Sequence, residues 1–559
     1  MQKITFFRKF SPSLGVTRPL LFVSFLTFGI NAVAVDAPTT GQILQEQRSA
    51  PVRPAQRESL KIEPYKPEAV EPGGAKVKLE KITFYGNTAF NEAKLMAAAG
   101  KVVGNEYDLA GLQKIADRIA EYYRRHGYLF VRVVLPPQTI GTGRVKMEII
   151  EGRYGELRTS GDAKVAAAAQ KWLLPLGEGN VIRQEELERS TLLLSDLPGV
   201  LTQPVMRPGL RVGTGDLDVA VKSQDKYNFN VGVDNHGSRF TGYYRARGNL
   251  AINSPTMLGD QLLIGVVQSD DNLTLGNTNY SRPIGTNGLR AQVGLAYTSY
   301  RLGKDFASAN RSGTALVGNT GLTYQLIRSN TGNLTLGGSL VRKNMSDDAN
   351  ASLSRKFSNS IPLSVQFDLR DQLMGPAITF GSVVFTYGSL SLDSSLRALD
   401  ASSARTEGRF KKFNLDIVRQ QQLPKEIIFS IRASGQYSSQ GLDSSEDFIL
   451  GGPSGIRAYP TGEAAGDRGW LTQLELQRRY GDYTPYVFYD HGRIDTNARQ
   501  INGISKLAKQ RAGAGLGLRY NTGNLYADAV IARRTSSDLA ESDTTNPPVQ
   551  AWVTMTYRY

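Results

Sequence analysis

From Tyr227 to the last residue, apolar and polar positions alternate in short segments bounded by Gly, Asn, Asp or Ser. They recur about every 20 residues, the rhythm of strands that cross a bilayer and turn back. In Gly242–Asn253, Tyr244, Ala246, Leu250 and Ile252 oppose Tyr243, Arg245, Arg247 and Asn249. In Leu289–Tyr297, Leu289, Ala291, Val293, Leu295 and Tyr297 oppose Arg290, Gln292 and Gly294. Ile427, Phe429 and Ile431 oppose Ser430, Arg432 and Gln436, while Ala512, Ala514, Leu516 and Leu518 oppose Arg511, three glycines and Arg519. The chain stops on one more such strand, Ala551–Tyr559, with Ala551, Val553, Met555, Tyr557 and Tyr559 on one face. Segmentation predicts about sixteen antiparallel strands, the alternation being least regular at 272–282 and 358–369. Arginine on the second face of strand after strand would ruin a sandwich core, but it suits a wet lumen. An open edge cannot exist in lipid, so the last strand must close on the first. The pattern therefore predicts a membrane β-barrel over 225–559.

Upstream the period changes. Between Val77 and Gln224 one unit appears twice, in the order β-α-α-β-β. The first copy, 76–152, predicts a strand at Val77–Tyr85, helices at Asn91–Ala99 and Asp108–His126, and strands at Tyr128–Leu135 and Arg144–Glu151. The long helix carries Leu109, Leu112, Ile115, Ile119 and Tyr122 along one stripe and meets Gly127 as a stop. The second copy, 153–224, predicts Tyr154–Ser160, helices at Ala163–Leu174 and Arg183–Leu197, and strands at Val200–Met206 and Asp216–Val221. Residues 51–75 carry Pro51, Pro54, Pro64, Pro67 and Pro72 and read as an extended linker. Within 35–50 only Thr40–Arg48 looks helical, and so short a helix needs partners to persist.

The first 34 residues read as a secretory leader: Lys3, Arg8, Lys9 and Arg18 without an acid, an apolar run from Leu20 to Ile30, then Ala32-Val33-Ala34. Removing those four cations lowers the formal charge from +15 to +11. An exported chain of that charge implies a basic lumen or surface rather than a nucleic-acid partner. There is no cysteine among 559 residues, which excludes disulfide frameworks and thiol chemistry and suits an oxidising periplasm. The three histidines, His126, His236 and His491, share no metal-ligand spacing, so no metal, cofactor or enzymatic activity is expected.

Between the strands at 425–437 and 468–480 lies a long glycine-rich loop containing Phe448-Ile-Leu-Gly-Gly-Pro-Ser-Gly-Ile-Arg-Ala-Tyr-Pro460. With Ile456-Arg457-Ala458-Tyr459 here and Phe488-Tyr489-Asp490-His491-Gly492 two strands on, the chain resembles the two-partner secretion transporters, the hemolysin secretion/activation branch of the Omp85 superfamily. That family carries a Val-Arg-Gly-Tyr-like tetrad after the eleventh barrel strand and a Phe-x-Asp-x-Gly pattern beyond it. The resemblance implies an outer-membrane translocator with two periplasmic POTRA domains and an N-terminal plug helix. Its implied partners are a large β-helical exoprotein bearing an N-terminal secretion domain, the outer-membrane lipid and the barrel assembly machinery, with the transporter a monomer. A barrel-assembly factor of the same superfamily and a passive porin are the alternatives; two receiving domains, a helix and a linker speak against both.

On the strand through Tyr486–Gly492, Val487 and Tyr489 suit lipid, so Phe488 and Asp490 point inward. Arg457 is expected to reach down and pair with Asp490. Alanine replaces the tetrad's usual third residue, so a positive φ at Ala458 would be strained. For the exoprotein the expected receiving edge is Tyr128–Leu135, with Tyr128, Phe130, Val131, Arg132 and Val133 on it and Arg124 and Arg125 beside it.

Overall fold

The computed structural model describes residues 37–47, 51–54, 61–62, 71–350, 352–499 and 507–559. The leader reading over 1–34 and the flanks of the predicted N-terminal helix fall outside them. Sixteen antiparallel strands close into one barrel. They are β1 (Tyr227–Asp234), β2 (Arg245–Asn253), β3 (Gln261–Ser269), β4 (Leu273–Ile284), β5 (Leu289–Arg301), β6 (Ser312–Arg328), β7 (Gly332–Ala349) and β8 (Ser352–Asp371). The second half comprises β9 (Ala377–Leu392), β10 (Gly408–Leu423), β11 (Ile427–Ser438), β12 (Arg468–Arg478), β13 (Tyr483–Asp495), β14 (Ala508–Thr522), β15 (Leu525–Arg534) and β16 (Val549–Arg558). Both irregular segments, 272–282 and 358–369, are strands, the latter lying inside the longer β8.

β1 leaves the periplasmic part of the chain, so each odd-numbered strand runs outward and the long connections lie outside. Closure is the shortest ladder of the barrel: five registered pairs, Asn230↔Arg558 to Asp234↔Thr554, against eight between β1 and β2. The Asn235 side chain lengthens that seam, donating to the Ala551 carbonyl at 2.8 Å and accepting from Val553 N–H at 2.7 Å. The apolar set of β16 faces lipid, while Trp552 is buried inside.

The two β-α-α-β-β units have separate cores. In the first, α2 (Glu92–Ala99) and α3 (Leu109–Arg125) pack on a sheet of Lys81–Tyr85, Arg144–Glu151 and Val131–Val134. Asn91 and Asp108 cap these helices through their side chains, and Gly127 breaks the chain away at φ 87°. The predicted strand Tyr128–Leu135 is thereby shortened to Val131–Val134. Tyr128 instead turns edge-on to Phe90 and Tyr123. In the second unit the helix predicted over Ala163–Leu174 stops as α4 at Ala169 and continues as two 3₁₀ turns, Gln170–Trp172 and Leu174–Leu176. Pro175 offers no N–H to continue an α-helix. Gln170 also spends its side chain on the Leu157 carbonyl and Thr159 N–H. Next, α5 (Gln184–Ser195) carries the docking face toward the barrel. Just beyond it Asp196 takes both Arg328 Nε and Nη2, at 2.6 and 2.9 Å, and Arg189 reaches the carbonyls of Asn287 and Leu326.

Candidate functional site

The tetrad loop joins β11 to β12. Its base is a two-residue ladder, Phe448–Ile449 against Ala465–Gly466. Above it the backbone doubles back: Ile456 N–H donates to the Leu450 carbonyl at 2.6 Å and Gly452 N–H to that of Tyr459 at 3.1 Å. Gly455 is required there, since a Cβ would stand 1.9 Å from the Leu450 oxygen. This compact fold carries Ile456, Arg457, Ala458 and Tyr459 into the lumen wall, where Arg457 is only 6% exposed and the other three not at all.

Arg457 meets Asp490 three ways. Its backbone N–H and Nε donate to Oδ2 at 3.0 and 2.9 Å, and Nη2 donates to Oδ1 at 2.7 Å. Asp490 is fully buried, so these charge-assisted bonds are screened little by water. The guanidinium lies 3.5 Å over the Phe488 ring and sends Nη1 to Glu475 at 3.0 Å. Glu475 is shared with Arg519, whose Nη1 and Nη2 reach it at 2.6 and 3.0 Å. The result is an alternating chain of buried charges across β12, β13 and β14, each satisfied by the next. Gly492 completes the motif by leaving room: a Cβ there would meet Leu450 Cδ2 at 2.8 Å.

Ala458 lies outside the left-handed region, so the strain foreseen for a non-glycine residue does not arise; positive φ falls on Ala464 instead. Its methyl group is seated against Gly513, where a Cβ would lie 2.3 Å away. Gly515 and Gly517 do the same for Phe488 and Tyr486. The inward glycines of β14 are thus a trough cut for the motif. Tyr459 sends its hydroxyl to Ser536 at 2.8 Å, tying the tetrad to the loop after β15.

Glu475, Arg519 and Trp552 were not singled out from sequence. Trp552 Nε1 donates to the Arg457 carbonyl at 2.7 Å, so the loop grips the final strand. Thr461 donates to the His236 carbonyl just past β1, so it also grips the other side of the seam. An inward-facing tryptophan on an otherwise polar strand face was the available signal. The three histidines stack on aromatic rings: His126 on Phe90 and Tyr122, His236 on Trp552, His491 on Trp470.

Inside the barrel sits α1 (Thr40–Glu46), starting where the sequence predicts behind the N-cap Thr39 and ending at Glu46 with Gln47 as C-cap; Arg48 lies outside the described residues. Thr40 N–H, the Thr40 hydroxyl and the Tyr300 hydroxyl all donate to Asp347, at 2.9, 2.5 and 2.7 Å, and the Ser346 carbonyl lies 3.1 Å from Thr40 Oγ1. Ile43 is fully buried among Phe240, Leu273, Tyr300 and Leu302. Gly41 packs so closely on Ser444 and Ser445 of the tetrad loop that a Cβ would overlap both. Below the helix a lumen cavity of about 1240 Å³ is lined by Gln45, Glu46 and Pro51 and by inward residues such as Arg247, Asn277 and Arg432.

The receiving edge is only partly as foreseen. Val131–Val134 pairs with Arg144–Glu151 on one side and closes no ladder on the other among the described residues. Val131 and Val133 turn into the core and Arg132 turns outward. Tyr128 and Phe130 are not on the strand; Phe130 packs against the second unit's core. Arg124 and Arg125 sit in the last turn of α3, each ion-paired with Glu121 on the helix surface.

A closed sixteen-stranded barrel behind a POTRA domain defines an outer-membrane transporter of the Omp85 type. Residues 77–152 match the POTRA domain, ShlB-type. Residues 213–520, more than half of the chain, match the haemolysin secretion/activation protein ShlB/FhaC/HecB, and the chain belongs to that family of two-partner secretion transporters. It is 26% identical over 570 residues to the heme/hemopexin transporter protein HuxB of Haemophilus influenzae strain 86-028NP, covering 98% of this chain and 99% of the relative. It is 23% identical over 494 residues to the outer membrane transporter CdiB of Escherichia coli, covering 84% and 81%. The solved structure of CdiB from Escherichia coli superposes with TM-score 0.74 at 19% identity, over 93% of this chain and 96% of that one.

Proposed function

We propose that this transporter receives an unfolded β-helical exoprotein at the first β-α-α-β-β unit and passes it through the barrel once α1 leaves the lumen. The second unit is read as a second POTRA domain that holds the first beneath the pore. The observation that carries this reading is α1 itself. A seven-residue helix occupies part of the wide polar lumen; apart from Thr40, whose N–H and hydroxyl both meet the Asp347 carboxylate, it and its N-cap are attached through neutral hydrogen bonds to Ser444 and Ser445, whereas the loop beside it is pinned by buried ion pairs. Neutral bonds exchanged for water cost about 1 kcal/mol each, so such a plug is releasable. Nucleotide is absent from the periplasm, and direction comes from the substrate folding outside, where a folded segment cannot slide back.

Extended substrate adds to Val131–Val134, because main-chain pairing tolerates varied sequence. Deleting residues 36–50 tests the plug: single-channel conductance in planar bilayers rises while the barrel stays folded. Unchanged conductance removes α1 from the gate. A porin without a receiving role would secrete equally well with Val131→Pro, which takes one main-chain donor from the edge.

A further inference from the structure

The outward wall of the barrel is not electrically uniform. Lys343 and Lys412 turn inward, both to Glu446, so their neighbours Arg342 on β7 and Lys411 on β10 turn outward. Arg409 follows on the same face of β10, and Arg355 lies on the outward face of β8. Register puts Arg342, Asn359, Ser389 and Arg409 on one line across β7 to β10. At about 4.8 Å per strand, the two arginines are roughly 14 Å apart, and Lys411 is about 7 Å below Arg409. Arg468 extends the band to β12, 4.9 Å over the outward Tyr437 ring; its Nε and Nη2 donate to the Ser438 and Ala498 carbonyls, so it adds charge more than free donors.

All five cations lie in the outer half, because β7 ends outside while β8, β10 and β12 begin there. Their height is marked by outward aromatics: Tyr387 is registered with Lys411, and Phe413 with both Phe385 and Tyr437. Such rings sit at the lipid–water boundary, so the cations stand at the level of headgroups. Acids on the adjoining loop are engaged elsewhere: Glu407 pairs with Arg397 at 2.9 Å, and Asp393 caps α6 (Ser394–Ser402). Asp348, one step nearer the rim on β7, is the single acid on the outward face of these strand ends. By contrast, β1 to β4 present Val233, Ala246, Val266, Gln268 and Thr274 outward in their outer halves, with no Lys or Arg.

We infer that this band is a binding site for the phosphorylated sugar headgroup of lipopolysaccharide in the outer leaflet. Arginine matches phosphate oxygens with paired N–H donors, and Lys411 adds a point charge. Asn359 and Ser389, between the arginines, suit sugar hydroxyls. Five cations spread over β7 to β12 exceed what one phospholipid phosphate occupies, and they fit a headgroup bearing several.

The test uses the full chain in detergent, with bisphosphorylated hexa-acyl lipid A as the probe. The readout is the temperature at which the compact electrophoretic form converts to the unfolded one. Lipid A raises the wild-type midpoint by several degrees, and the variant R342Q/R409Q/K411Q loses at least two thirds of that rise. R493Q/R533Q, on the outward faces of β13 and β15, keeps it. Each variant first shows the compact form without lipid, which separates lost binding from lost folding. The inference is overturned if lipid A leaves the wild type unmoved, if the triple variant responds fully, or if phosphatidylglycerol raises the midpoint as much.

Discussion

Two structures occupy the lumen, and they are held by different physics. The tetrad loop is fastened by Arg457, whose five polar contacts with Asp490, Glu475 and the Trp552 indole are all charge-assisted or fully buried. The helix is fastened mainly through Gln45, the buried apolar side chain of Ile43 and Thr40, whose N–H and hydroxyl share one carboxylate, Asp347. Removing a partner from the first leaves a buried charge, while removing one from the second leaves a group that water can satisfy. The comparison separates a firmly held frame from a more weakly held helix within one pore, the one proposed above to move.

The largest expected effect breaks the frame. Arg457→Ala and Asp490→Ala each cost about 3–5 kcal/mol of loop anchoring. Each sharply lowers secretion of the exoprotein into the medium without preventing membrane insertion. The double variant adds little, and fully additive losses in that cycle would mean the two residues act separately. Ala458→Leu comes next: with Gly513 directly beneath the methyl group, a larger side chain lifts the tetrad and lowers secretion, though less than loss of Arg457. On the helix, Thr40→Val removes a hydroxyl bonded to Asp347 and raises the frequency of full-conductance openings by about tenfold, while the Thr40 N–H bond to the same carboxylate remains. Equal effects from Thr40→Val and Arg457→Ala would erase the distinction between frame and plug.

The smallest effect concerns the first periplasmic unit, a control region outside the pore. Burial raises the Glu151 carboxyl, but the amides of Ala89 and Thr88 and the hydroxyls of Thr88 and Tyr123 outweigh it and hold the group below its ordinary range. A depressed folded value means the stabilisation is complete above the ordinary carboxylate pKa of about 4.3 and is lost as pH falls through the folded one. The urea midpoint of residues 76–224, followed by tyrosine fluorescence, therefore drops on acidification to pH 3. Glu151→Gln flattens that drop while leaving Arg457-dependent secretion unchanged.

Much of this was legible in the sequence because the relevant signals are periodic. A two-residue alternation with arginine on one face fixes both the barrel and the direction of Asp490. The 3.6-residue stripe of α3 likewise marks the first unit. What escaped was set by neighbours distant in the chain. Glu475 looks like any polar lumen residue until β12 is laid beside β13 and β14. Alternation along β16 already turns Trp552 inward, but its partner, the Arg457 carbonyl, lies 95 residues away in a folded loop. Tyr128 and Phe130 alternate as strand residues should, yet Gly127 turns them away, aromatic packing captures Tyr128 and the second unit's core takes Phe130. Ala458 seemed a liability because strain was judged from the residue alone, whereas the accommodation lies on another strand, at Gly513.

The linker contributes one more feature to the periplasmic part. Lys61–Ile62 adds a parallel strand to Val200–Pro208, opposite Val205 and Met206, on the second unit's sheet. Pro204 and Pro208 flank that stretch and offer no donors of their own, so the linker covers the donor-bearing segment between them. Before insertion the sixteen barrel strands cross the periplasm unpaired, and any uncovered edge nearby is a template on which they can pair wrongly. Pairing in cis at Lys61–Ile62 leaves that stretch of the second unit's sheet with its donors already spent.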